Sequence, residues 1–192
     1  MGIKALVKRM LRFPSQLHKQ IVFKLQKVKY PKNAQFNGKI HLVNRGKISI
    51  GENCKFNGAN KYNPIGFGGP CNIVAEKGAE IVIGNNCGIS NSTIYSRLSV
   101  KIGNGVLLGA GVKVYDTDFH SLDYTKRGTS EDKADANNAP VIIGDNAFIG
   151  AGTIVLKGVT IGKRAIIGAG SVVTKDVPDD EIWGGNPVKK IK

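Results

Sequence analysis

Carboxylates are missing from the start of this 192-residue chain. Lys4, Lys8, Arg9, Arg12, Lys19, Lys24, Lys27, Lys29, Lys32, Lys39, Arg45 and Lys47 all pass before the first acid, Glu52. These residues carry twelve of the fourteen net positive charges, and the remainder is close to neutral, with 16 basic against 14 acidic residues. Charge confined to one end argues against a nucleic-acid-binding face spread over the domain, so no nucleic-acid partner is expected. Cysteine is scarce as well. Cys54, Cys71 and Cys87 show neither CxxC spacing nor a nearby histidine, which argues against a disulfide framework or a zinc site and fits a reducing compartment. No apolar run approaches the ~20 residues of a membrane span. The N-terminus also lacks the apolar stretch and small-residue cleavage site of a signal peptide, so a cytoplasmic protein is expected. Aromatics make up only 7%.

Glycine is abundant, at 25 residues, which suits short strands and tight corners better than long helices. The dominant pattern has a period of six. From Ile143 an aliphatic residue recurs at Ile149, Val155, Ile161, Ile167 and Val173, and a shorter run gives Ile102, Leu108 and Val114. Four places after each aliphatic comes a small or β-branched residue: Val106, Val112, Ala147, Thr153, Val159, Ala165 and Ser171. A helix of 3.6 residues per turn would smear this pattern around its whole surface, whereas flat strands joined by corners keep it facing inward. Three such strands close a triangular coil, and coils stack at about 4.8 Å with their backbones paired. The expected fold is all-β, a parallel β-helix.

The runs Ile143-Gly144-Asp145-Asn146-Ala147-Phe148-Ile149-Gly150-Ala151-Gly152 and Ile161-Gly162-Lys163-Arg164-Ala165-Ile166-Ile167-Gly168-Ala169-Gly170-Ser171 resemble the hexapeptide-repeat acyltransferases, in particular bacterial sugar and surface-polysaccharide O-acetyltransferases. The resemblance implies a left-handed helix, an exception to the usual right-handed crossover. It also implies a homotrimer, acetyl-CoA as donor substrate without a metal, and a small-molecule or glycan acceptor. The repeats run over residues 36–175, with weaker coils at Ile48 to Phe56 and Ile73 to Ile89. Residues 1–35 are expected to form a basic amphipathic, helical segment, and residues 176–192 a tail. With no acid in its first 29 residues, that segment either rests on anionic lipid at the inner membrane face or covers the open end of the β-helix.

Interruptions of a regular coil are where function tends to sit. Residues 57–70, NGANKYNPIGFGGP, must leave the coil as a loop. A spacing of 19 rather than 18 between Ile83 and Ile102 predicts a one-residue bulge around Tyr95 to Lys101. The largest break, residues 115–140, contains His120; His18 and His41 precede the strong repeats, so it is the only imidazole in that part of the chain. The family similarly places a His followed by an apolar-Asp pair on an extruded loop, as in His120-Ser121-Leu122-Asp123, which makes His120 the expected general base. It would take the proton of an acceptor hydroxyl attacking the thioester. Asp116 and Asp118 are candidates for orienting the imidazole or contacting the acceptor, with turn formation as the ordinary alternative.

Position for position, the resemblance puts Ala151, Ala169, Thr174 and Lys175 on coenzyme contacts, and Lys189 and Lys192 within reach of its phosphates. Asn91 is the candidate for a sugar hydroxyl, its alternative being a corner residue. Cys87 reads as packing, since direct transfer needs no protein nucleophile. A γ-class carbonic anhydrase would need three histidines to hold zinc. A xenobiotic acetyltransferase, a nucleotide-sugar N-acetyltransferase and a structural β-helix scaffold remain as alternatives; the scaffold would make His120 dispensable.

Overall fold

The computed structural model describes residues 22–192. Its strands form three parallel sheets, the faces of a triangular, left-handed parallel β-helix. The first face stacks β1 (Gln35–Gly38), β4 (Lys55–Gly58), β7 (Gly88–Ser90), β10 (Leu107–Leu108), β13 (Phe148–Ile149) and β16 (Ile166–Ile167). The second stacks β2 (Ile40–Asn44), β5 (Cys71–Ala75), β8 (Thr93–Ser96), β11 (Lys113–Tyr115), β14 (Ile154–Val155) and β17 (Val172–Val173). The third stacks β3 (Lys47–Ile50), β6 (Glu80–Ile83), β9 (Ser99–Ile102), β12 (Val141–Ile143) and β15 (Thr160–Ile161), with Val177 bridging to Ile161 at its end. Seventeen strands and that bridge make six coils of three.

The period of six becomes a core because successive aliphatics fall in register. Leu108, Ile149 and Ile167 stack on the first face, Val114, Val155 and Val173 on the second, and Ile102, Ile143 and Ile161 on the third. All nine are buried, as are the small partners Val106, Ala147 and Ala165. The corner between the third and first faces takes a left-handed residue each time, and Asn53, Asn86, Gly105, Asn146 and Arg164 supply it with φ of 56°, 59°, 67°, 59° and 58°. Gly111, Gly152 and Gly170, with φ of 74°, 72° and 70°, repeat the device between the first and second faces.

Both described ends are covered. Residues 22–25 are helical, and Phe23 is buried edge-on against Tyr30 and Phe36, which in turn stacks on Phe56 of coil two. Within the N-terminal segment expected to meet lipid or to cover the end of the β-helix, residues 1–21 lie outside the described residues. Residues 22–29 pack on the first coil, where Lys29 bridges to Ser49. At the other end β18 (Ile182–Gly184) adds to β16, and β19 (Lys189–Lys190) folds back antiparallel on it.

The expected bulge at Tyr95 to Lys101 is absent. β8 and β9 pair with β5 and β6 without a gap, and the irregularity lies instead in the corner between the second and third faces. That corner spans four residues in coil two, 76–79, and only Arg97 and Leu98 in coil three. The tight corner is held from the next coil. Asp116 is wholly buried, and its carboxylate accepts from the backbone N–H groups of Arg97, Leu98 and Ser99 at 2.8, 2.8 and 2.7 Å and from the Ser96 hydroxyl at 2.6 Å. Hydrogen bonds to a charged group contribute about 1.5–3 kcal/mol each, and an orphaned buried donor costs about as much. Asp116→Ala should therefore lose about 3 kcal/mol or more of stability, a fall of roughly 6–12 °C in thermal midpoint for a chain of this size. Asp116→Asn, which keeps the shape, should lose less; calorimetry of the pair checks both.

Candidate functional site

Between β11 and β12 the chain leaves the helix for residues 116–140, and its neck is sewn shut. Thr117 bridges antiparallel to Asn138, the N–H of Asp118 donates to the carbonyl of Asn137, and Ala139 N–H donates to the carbonyl of Asp116. Asp118 pairs with Lys157 of the next coil at 2.8 Å. The loop thus stands on the corner between the second and third faces, directly above the Asp116 anchor.

Phe119 then adopts φ +66°, a left-handed conformation that a bulky residue reaches only when its surroundings force it. Three contacts do so. Its N–H donates to Thr117 Oγ1, and its ring packs against Tyr95 and Tyr115 with centroids 5.0 and 5.1 Å away. The reversal presents His120, whose side chain is 63% exposed while its Nδ1 lies 2.7 Å from Asp132 Oδ2. Asp132 belongs to a short helix, Asp132–Asp135, and is itself buried. Its carboxylate also accepts from the N–H groups of Ser121 and Gly128 at 2.8 and 3.1 Å. The hydrogen bond with His120, and then these two N–H groups, hold the Asp132 carboxyl down at about 2. A carboxylate ionised across the neutral range accepts Nδ1–H and leaves the Nε2 lone pair free, the arrangement of an oriented base.

Next to His120 opens a cavity of about 500 Å³, with Tyr95 and Phe119 among its lining. Its far wall is Glu76, which accepts both contacts of Arg45 at 2.8 and 2.9 Å and the Tyr95 hydroxyl at 3.1 Å. The bond to Arg45 holds the Glu76 carboxyl below its ordinary range, while burial and the bond to Glu76 push the Tyr95 phenol up.

Of the residues expected from sequence, His120 alone lines this cavity. Asp116 is a structural anchor and is unavailable to a substrate, because its buried oxygens are committed to the 96–99 corner. Asp118 does not orient the imidazole; it ties the loop neck to Lys157. Asn91 sits on the opposite border of the second face, with φ +47° and its Nδ2 donating to the Gly69 carbonyl at 2.6 Å. It is a corner residue that anchors loop 59–70, since residues 57 and 58 of the expected loop lie in β4, and it lies outside the His120 cavity. Ala151 and the exposed Ala169 follow one another on the corner between the first and second faces, and a Cβ on Gly150 would meet Ala169 N at 2.5 Å, so the coils touch backbone to backbone there. Thr174 and Lys175 are exposed on the far border, with Lys175 Nζ 5.1 Å from the Trp183 ring. Lys189 and Lys192 are exposed near the C-terminal end. Cys87 is buried, and its hydrogen bond with Cys54 together with burial pushes its thiol up, as a packing residue requires. Among the described residues no group of three or more His, Cys, Asp or Glu side chains could hold a metal.

Asp132 was not singled out from sequence. Twelve residues separate it from His120 across a loop of no regular period, so no spacing rule connects them. Tyr95, Glu76 and Arg45 come from three different coils and carry no motif.

The family model described as "Hexapeptide repeat of succinyl-transferase" matches residues 80–116 and 140–175. The chain is 46% identical over 116 residues to Protein CapG of Staphylococcus aureus, covering 58% of this chain and 65% of that relative. It thus spans less than two thirds of that relative's length. A hexapeptide-repeat-containing acetyltransferase of Vibrio cholerae, solved with acetyl coenzyme A, is 32% identical with a TM-score of 0.51, over 62% of this chain and 63% of the other. A maltose O-acetyltransferase of Clostridium difficile is 28% identical with a TM-score of 0.52, over 85% and 68%.

The His120–Asp132 pair makes a prediction independent of any reaction. Long-range ¹H–¹⁵N NMR of histidine-labelled protein should show neutral His120 as the Nδ1–H tautomer, and Asp132→Ala should release it to a mixture. Because the Asp132 pKa is depressed, its contribution to loop stability is fully present above the ordinary carboxylate value of about 4. It should disappear as pH falls through about 2.

Proposed function

We propose that this β-helix chain, whose repeats match the hexapeptide-repeat model over residues 80–116 and 140–175, is an acetyl-CoA-dependent O-acetyltransferase acting on a hydroxyl of a sugar, in a cell-surface polysaccharide or its precursor. The observation that carries the reading is His120, its side chain largely exposed beside a cavity and tied at Nδ1 to a buried, ionised Asp132. An alcohol is a weak nucleophile at neutral pH, so attack on a thioester needs a base within hydrogen-bond reach. His120 Nε2 takes the hydroxyl proton as the oxygen bonds to the acetyl carbonyl carbon, and Asp132 stabilises the imidazolium. When the tetrahedral intermediate collapses the C–S bond breaks, and the imidazolium returns its proton to the leaving sulfur. Supporting context comes from the Vibrio cholerae relative solved with acetyl coenzyme A and from the maltose O-acetyltransferase.

The same reading makes the protein a homotrimer. Within one chain the Ala151–Ala169 corner and the His120 loop occupy opposite borders of the second face, so a pantetheine arm on the alanines reaches the histidine of a neighbouring copy. Leu107, Phe148 and Ile166 stand in register on the first face, at 51%, 45% and 37% exposure, an apolar row suited to burial between chains. Thr174 and Lys175, with Lys189 and Lys192 beyond them, would meet the nucleotide and its phosphates.

His120→Asn should lower kcat by about 10² to 10⁴-fold while leaving acetyl-CoA affinity unchanged, since the base acts on the transition state. Turnover close to wild type would return the protein to a scaffold. Light scattering should report three chains, and a fully active monomer would sink the shared site.

A further inference from the structure

The cavity beside His120 is unevenly charged. Arg45, Lys77, Arg97 and Lys133 line it against one carboxylate, Glu76. Glu76 is already engaged by Arg45 and Tyr95. Among the described residues no carboxylate oxygen lies within 4 Å of the charged side-chain nitrogens of Lys77, Arg97 or Lys133 to form an ion pair. Cations gathered in one concavity repel one another and concentrate a field that favours an anion.

The Arg97 guanidinium is also held in place by a carbonyl instead of a carboxylate. Its Nη2 donates to the Lys133 carbonyl at 2.7 Å, and the Arg97 backbone N–H donates to Asp116 at 2.8 Å. A guanidinium fixed by a carbonyl keeps its charge and most of its donors for a ligand, so less ordering entropy is lost when an anion binds. The rings of Tyr95 and Phe119 give the same cavity an apolar surface against which the C–H face of a sugar ring can lie.

We propose that this cavity takes an anionic acceptor, a sugar derivative bearing a carboxylate or a phosphate. Its negative group sits among Arg97, Lys133 and Lys77, and its hydroxyl faces His120 Nε2. The choice of a hydroxylated sugar rests on the acetyltransferase reading; the preference for negative charge rests on the cavity alone.

The test is equilibrium binding of three probes, methyl glucuronide, glucose 1-phosphate and methyl glucoside, to the full chain saturated with coenzyme A. At least one anionic probe should bind about ten- to hundredfold tighter than the neutral glucoside, as expected for charge-assisted hydrogen bonds. The tighter of the two identifies carboxylate or phosphate as the recognised group. The preference should shrink in high salt and collapse in Arg97→Gln/Lys133→Gln. Lys77→Gln, on an exposed corner of another coil, provides a second reading should the double variant fail to fold. Equal binding of the glucoside, absence of binding by all three probes, or a charge preference that survives in the folded variants would overturn the proposal. Acetyl transfer by the wild type without any charge preference would overturn it and leave the enzyme reading standing. A charge preference with no acetyl transfer to any sugar would do the reverse.

Discussion

Each coil of this protein donates its backbone N–H groups to the coil beside it, and a broken rung would leave buried peptide groups without partners. That constraint governs where the chain can depart from regularity. Along a face the ladder allows no insertion, so both long departures, residues 59–70 and 116–140, leave at corners. The ladders resume in register past each of them, Cys71 against Ile40 and Val141 against Val100.

From this frame the site follows as a sequence of dependencies. The corner at Arg97 and Leu98 is short enough to need an acceptor for its N–H groups, and Asp116 supplies one from the coil above. Asp116 thereby fixes the point at which the loop departs. The closed neck and the packing of Phe119 on Tyr95 and Tyr115 sustain a backbone reversal that would be unfavourable alone, and that reversal sets the position of His120. Asp132 completes the arrangement from the far side of the loop. A histidine 63% exposed would otherwise sample many rotamers; here one ring nitrogen is committed and the other is available.

What could be read from sequence was whatever the repeat itself encodes. Ile143 to Val173 announces its period in one dimension, and stacking copies that period into three, so the fold and inward positions such as Ala147 and Ala165 were legible. His120 was legible as the single imidazole in the longest break. Asp116 was misread because its partners lie in the preceding coil, 17 to 20 residues away in a stretch where the repeat loses its period. For Asn91 the sequence left two readings open, because a left-handed corner and a sugar-binding amide use the same residue type. Asp132, Glu76 and Arg45 reach the site through loop folding and coil stacking, contacts that no short-range pattern records.

The Asp116 contact also bears on how such a chain can lengthen or shorten over evolutionary time. A stacked coil is a modular unit, and duplication or deletion of eighteen residues between coils five and six would renew the same ladder on both sides of the seam. The seam between coils three and four is different, because the carboxylate of one coil completes the corner of the other and the loop above depends on both. An extra unit slipped in there would part Asp116 from Arg97 and Tyr95 from Phe119 in one step. The history of this architecture should therefore be written in gains and losses toward its ends, with the junction beneath the histidine inherited as a single block.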